Sequence, residues 1–221
     1  MNKAIFWLIK KEFLLEWRER YAINGILLYL LSTIFIIYLT FRLRAGAIGN
    51  FTWNAIFWII LLFTAVNAVA KSFIRENQKR HLYFYVLTSP ESLILSKIIY
   101  NALLMFFLGI VGFFCYSVVM GNPVEDHLFF IINLILAGIG FSSILTMISS
   151  IAAQTEQSST LMTILSLPVL VPILLMAIKI SQNALDGLDR TQSYDELLTL
   201  LAINIIVATI SYILFPYLWR S

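Results

Sequence analysis

Charge is what this sequence holds least of. Asp, Glu, Lys and Arg make up 12% of its 221 residues against 60% apolar ones, and the mean hydropathy is +0.88. Such a composition lies far outside the range of water-soluble domains, so the chain reads as an integral membrane protein. The net charge of +3 would ordinarily point to anionic partners, but its distribution across the two sides of a membrane accounts for it better, and no nucleic-acid partner is indicated. Cysteine is scarcer still. The single Cys115, set in an apolar run, excludes an intrachain disulfide and a multi-cysteine metal site. There is no GxxxxGK motif followed by Ser or Thr, so the chain cannot cradle ATP phosphates alone and any ATP dependence comes from a partner. No HExxH, CxxCH, nucleophile elbow or pair of carboxylates in an apolar setting is present, which leaves no hydrolytic or metal site and no enzyme in this chain. The amino terminus scatters charges from Lys3 to Arg20 with no small-residue cleavage site, so the first span is expected to stay as an anchor.

What is there is a series of long apolar runs. A span needs about 20 apolar residues, and six are expected, roughly at 23–41, 52–70, 98–120, 128–151, 159–180 and 198–217. With the amino terminus in the cytoplasm, Lys3, Lys10, Lys11, Arg18, Arg20, Lys71, Arg75, Lys79, Arg80, Lys97 and Arg220 fall inside, and only Arg42, Arg44, Lys179 and Arg190 outside. Basic residues in short loops stay cytoplasmic, so both termini are assigned there. Arg42 and Arg44 are discordant; the alternative is five spans with a re-entrant first segment. No charged residue lies near the centre of a span, which weakens a proton- or ion-coupled carrier. His81 and His127 fall on opposite sides and cannot share a metal or a haem.

The whole of 1–221 reads as one membrane domain with three appendages. Residues 3–20 pattern as an interfacial helix, with Phe6, Ile9, Phe13 and Trp17 on one stripe and Lys11 and Arg18 nearly opposite. Leu8 and Leu15 fall outside that stripe, so this helix is expected to pack on protein as well as on headgroups. Residues 71–97 form the longest polar interval and hold the densest basic cluster. A short helix is expected from Ser72 to Val86, and a new one from Ser89, whose hydroxyl caps free backbone N–H groups ahead of Pro90 and Glu91. On the outer side, residues 181–197 are polar and acidic, and Gly187 predicts two short helical pieces.

Inside the spans, Gly109, Gly112, Gly138, Gly140, Ser142 and Ser143 read as close-packing positions. Asn67, Asn101, Asn133 and Asn204 read as interhelical hydrogen-bond donors. Pro168 and Pro172, one turn apart, mark a kink and a candidate hinge. Trp53 and Trp58 suit an interfacial aromatic belt.

This plan of an interfacial helix, six spans, a cytosolic loop helix between spans two and three, and an external segment before span six resembles the permease of an ABC transporter of the ABC-2 exporter type. In such permeases the loop after span two is the coupling helix that docks on the ATPase. The resemblance therefore implies that Arg75, Glu76, Lys79, Arg80 and Tyr83 form the ATPase contact. A closer resemblance lies in SFIRENQKRHLYFYVLTSPESLILSKIIYN at 72–101, GNPVEDH at 121–127, LPVLVPILLMAIK at 167–179, NALDGLDRTQSYDELLTLLAIN at 183–204 and the terminal FPYLWRS. These are similar to the CcmB family, the haem exporter protein B permeases of cytochrome c maturation. Phe73, Arg75, Glu76, Leu87, Pro90 and Lys97 match the family's loop pattern, while the aromatic run Tyr83-Phe84-Tyr85 replaces the Leu of many relatives.

The resemblance implies a non-catalytic subunit of the bacterial cytoplasmic (inner) membrane. It would work in two copies with a CcmA-like ATPase, which binds ATP and Mg, and with CcmC-like and CcmD-like membrane proteins. ATP hydrolysis would release the haem-loaded CcmE-like chaperone from the CcmC-like partner. Haem would be held by those partners, with no cofactor on this chain, and Asp186, Asp189 and Tyr194 would face an external partner. The alternatives left open are an ABC-2 permease for a lipid-linked glycan or drug, and a secondary carrier.

Overall fold

The computed structural model describes residues 2–18, 20–42, 48–74, 89–153 and 158–220. The chain runs through helices α1 (Asn2–Arg18), α2 (Arg20–Arg42), α3 (Asn50–Ile74), α4 (Pro90–Met120), α5 (His127–Ala152), α6 (Ser158–Leu185), a 3-10 turn (Arg190–Ser193) and α7 (Tyr194–Arg220). Six of these, α2 to α7, are long and apolar enough to cross a membrane, and among the described residues there is no strand. The protein is an all-α membrane protein. Because α2 carries one continuous apolar stretch over Ile23–Phe41, it supplies a full crossing, and the five-span alternative is set aside.

Helix boundaries follow local chemistry. Pro90 opens α4, where its missing N–H costs nothing, with Glu91 in the first turn. The expected Ser89 cap differs in detail: its backbone is extended as a cap requires, but the side chain makes no cap bond, and its hydroxyl lies 2.9 Å from that of Ser92 instead. Asp126 caps α5, accepting from the Phe129 N–H at 3.1 Å. Past α6 the chain turns at Gly187, whose φ of +62° puts it in the left-handed region and whose missing Cβ leaves room for the Glu125 carboxylate. In place of two short external helices there is one 3-10 turn, because α6 continues to Leu185 and α7 begins at Tyr194.

Helix α5 is the axis of the bundle and packs against α3, α4, α6 and α7. Glycine lets its neighbours approach: Leu134 lies over Gly109, Met105 over Gly138, Leu30 over Gly112, and both Ile173 and Asn204 over Gly140. Hydroxyls in the spans bond back to carbonyls one turn earlier, as in Thr64 to Ile60 (2.7 Å) and Thr146 to Ser142 (2.5 Å), which satisfies them where no water is present.

Trp53 and Trp58 are corrected by this packing. They are 2% and 0% exposed and stand inside the bundle rather than in a lipid-facing belt. With Phe57, Phe113, Tyr116, Phe130 and Phe141 they form an aromatic core joining α3, α4 and α5. Its ring centroids stand as close as 4.7 Å for Trp53–Tyr116 and 4.8 Å for Phe113–Phe130. The gap between α2 and this core, lined by Leu30, Ile34, Phe57, Leu61 and Tyr116, leaves no room for a water molecule.

Candidate functional site

The two ends of the bundle carry different chemistry, and separate buried hydrogen bonds between helices lie along the spans between them. At one end, Leu8 of α1 is buried with Leu93, Ile94 and Ile98 of α4 and Phe215 of α7, and Phe13 stands edge-on to Tyr100 at 5.2 Å. Beneath this apolar contact lies Lys97, which is 0% exposed. Its Nζ is 3.5 Å from Glu12 Oε1, and the same oxygen lies 3.0 Å from Lys11 Nζ. Sequence reading places Lys97 among the exposed loop cations; the structure corrects this, because α4 begins at Pro90 and carries Lys97 into the α1–α4 contact. The 31 residues of α4 span about 46 Å, while the hydrocarbon core takes about 20 residues. Counted back from Met120, the core begins near Asn101 and leaves Lys97 one turn outside it. A buried cation there is tolerable only with a carboxylate beside it, and Glu12 supplies that from α1.

Glu12 is the residue that sequence reading misses. Its signal is the anomaly of Leu8 and Leu15 off the predicted stripe. Leu8 proves to belong to a second, protein-facing side of α1, which Glu12 shares one turn on. Phe6 and Phe13, on the predicted stripe, face outward. Helix α1 thus packs on protein, as expected, through the side that carries Leu8.

The expected ATPase-contact residues Arg75, Glu76, Lys79, Arg80 and Tyr83, and with them His81, lie outside the described residues. In sequence they fall between the end of α3 and the start of α4.

From this end polar bonds step through the spans. Asn101 of α4 donates to Thr146 of α5 at 2.8 Å, Asn133 of α5 to the Ala177 carbonyl of α6 at 2.8 Å, and Asn204 of α7 to the Leu136 carbonyl at 2.9 Å. These three asparagines bridge helices as expected. Asn67 does not: it is exposed and bonds Phe63 of its own helix. Farther along, Ser181 of α6 receives the Trp58 indole N–H at 2.7 Å and donates to Asn54, whose amide bonds the Ile178 carbonyl. Pro168 and Pro172 are exposed on the outer side of α6, which stays helical through both.

At the opposite end, Arg190 of the 3-10 turn grips Asp126 with two bonds, Nε to Oδ2 at 2.6 Å and a guanidinium NH2 to Oδ1 at 3.0 Å. That bidentate grip, then the Phe129 N–H, holds the Asp126 carboxyl below the usual aspartate range. The N–H groups of Glu125 and Asp126 both reach the Ala184 carbonyl, so the α4–α5 turn is fastened to α6 and to the turn beyond it. Lys179 and Glu196 pair α6 with α7 at 2.5 Å. The three predicted partner-facing residues stand exposed on this rim. Asp186 accepts from Gln182, Asp189 precedes the 3-10 turn without a side-chain cap bond, and Tyr194 is 53% exposed. His127 is engaged by Asn122 at 2.8 Å. Among the described residues no group of three or more His, Cys, Asp or Glu side chains is placed to hold a metal.

Among the described residues each spanning helix from α3 to α7 is tied to a neighbour by a directed bond, an arrangement that can transmit displacement. No curated protein matches the chain. Residues 3–216 match the family model described as CcmB protein, which is nearly the full length. The chain therefore belongs to the CcmB family, the multi-pass membrane subunits of the ABC transporter system of cytochrome c maturation.

Proposed function

We propose that this subunit relays the work of a CcmA-like ATPase through the membrane to a haem-handling complex, and that haem does not pass through it. In this reading both termini and the segment 75–88 are cytoplasmic, and Arg75, Glu76, Lys79, Arg80 and Tyr83 dock on the ATPase. Two copies of the subunit assemble with CcmC-like and CcmD-like proteins. The rim bearing Asp186, Asp189 and Tyr194 passes the movement on, so that the haem-loaded CcmE-like chaperone leaves its CcmC-like partner. Pro168 and Pro172, which weaken the hydrogen-bond ladder of α6, are the places where that helix bends.

The observation that carries this reading is the packed interior, which among the described residues holds no charged side chain at mid-depth. Haem has two propionates, and drawing them through the spans would strip their hydration without a cation at mid-depth to receive them. The aromatic core of Trp53, Phe57, Trp58, Tyr116 and Phe130 fills the space such a path would need. Lys97, the buried cation, is already engaged by Glu12 and stands outside the hydrocarbon stretch by the length of α4.

The test of docking reverses charge in the loop. An exposed ion pair contributes only about 0–1 kcal/mol, so single neutralisations weaken docking modestly. Combined Arg75→Glu, Glu76→Arg and Arg80→Glu should abolish co-purification of the ATPase and its coupled turnover. Unchanged co-purification and turnover would remove this segment as the docking site.

A further inference from the structure

We infer that the outward side of α1 is a binding site for an anionic phospholipid, with its headgroup held by Lys10 and Arg18 and its acyl chain laid along Trp7 and Leu14. The two sides of α1 differ in charge. Glu12 faces Lys97 on the protein side, whereas the outward side presents Lys10 and Arg18, both exposed. Among them stand three large apolar side chains that the bundle leaves largely uncovered, Phe6 at 63% exposure, Trp7 at 62% and Leu14 at 60%, with Phe13, at 50%, half-covered by Tyr100.

The Lys10 ammonium sits 5.1 Å above the Trp7 ring, a cation–π contact that fixes the charge over an apolar wall. A crevice of about 370 Å³ opens here, lined by Trp7, Leu14 and Leu15 with Lys10, Lys11 and Arg18 around it. Lys11 is partly satisfied by Glu12, so Lys10 and Arg18 supply the attraction.

The depth of the site selects the occupant. Helix α1 rests on Leu93, Ile94 and Ile98 of α4, just outside the stretch of α4 that crosses the hydrocarbon, which is the level of the lipid headgroups. A ligand that satisfies both an apolar wall and a cationic rim at that level is a phospholipid with net negative charge. A free phosphate leaves the wall bare, and a zwitterionic lipid leaves the rim without net attraction. This inference stands independently of coupling to an ATPase.

The experiment titrates the full-length protein in neutral detergent with dioctanoyl phosphatidylglycerol, dioctanoyl phosphatidylcholine and inorganic phosphate, and follows binding by native mass spectrometry. The expected order is phosphatidylglycerol tightest, phosphatidylcholine weaker and phosphate weakest. The Lys10→Gln/Arg18→Gln variant should lose phosphatidylglycerol affinity by about 30-fold, at roughly fivefold per cation, with phosphatidylcholine binding unchanged. The charge-conserving Lys10→Arg/Arg18→Lys variant should keep it, which separates lost charge from disturbed folding. Equal affinity for the two lipids, phosphate binding as tightly as phosphatidylglycerol, an unaffected Gln variant, or a loss in the charge-conserving one would each overturn the proposal.

Discussion

Lys97 Nζ and Glu12 Oε1 face each other at 3.5 Å, across the contact between α1, which precedes the spans, and α4, which follows residues 75–88. The lysine side chain is 1% exposed and the glutamate 14%. Glu12→Ala removes a carboxylate from beside a buried cation and should destabilise the protein by about 3 kcal/mol, whereas Glu12→Leu with Lys97→Met should recover most of that loss. Thermal unfolding of both variants in detergent checks this. A double variant no more stable than Glu12→Ala would mean that the loss is one of packing and not of charge.

The α5–α7 crossing at Gly140 admits no side chain. A Cβ there would stand 2.5 Å from Asn204 Oδ1 and 2.7 Å from Ile173 Cδ1, and Asn204 is held in place by its bond to the Leu136 carbonyl. Gly140→Ala should therefore cost about 1–3 kcal/mol through overpacking. At Gly25, where a Cβ meets nothing within 4 Å, Gly25→Ala should be neutral or slightly stabilising, since alanine favours the helix by about 1 kcal/mol. Equal melting shifts for the two variants would contradict the packing described for α5.

Acid should release the Asp126–Arg190 latch. A carboxyl whose folded pKa lies below its unfolded value adds stability that is whole above the unfolded value, about 3.9 for aspartate, and is lost as pH falls through the folded value. The guanidinium stays charged throughout. Asp126→Asn should thus lower the melting temperature by a constant amount from about pH 7 down to about pH 5, and the gap should close below about pH 4. A gap that already narrows between neutral pH and about pH 5 would place a different group at the latch.

Much of this architecture is legible in the chain, because spans of about 20 apolar residues announce themselves by length alone. The asparagines at 101, 133 and 204 are readable for a related reason: an amide at that depth must find a partner, and the neighbouring helices are what lies within reach. Facing direction is harder. Trp53 and Trp58 have the composition of an interfacial belt, yet tertiary packing turns them inward, because hydropathy within a membrane span does not distinguish lipid from protein neighbours. Lys97 follows the same logic. Its charge assigns it to a loop, and only the start of α4 at Pro90, together with Glu12 from a distant stretch, makes its burial tolerable. The Asp126–Arg190 pair joins residues 64 positions apart, a separation that no local pattern encodes.

The central claim, that the subunit relays motion and does not conduct haem, is tested most directly by the state of the chaperone in cells carrying the combined reversals at Arg75, Glu76 and Arg80. The CcmE-like protein is isolated and assayed for bound haem and for association with its CcmC-like membrane partner. A relay predicts haem-loaded chaperone, formed normally but trapped on that partner, with no mature cytochrome c. A chaperone without haem while cytosolic haem remains available would contradict the relay and make conduction through this chain the better account.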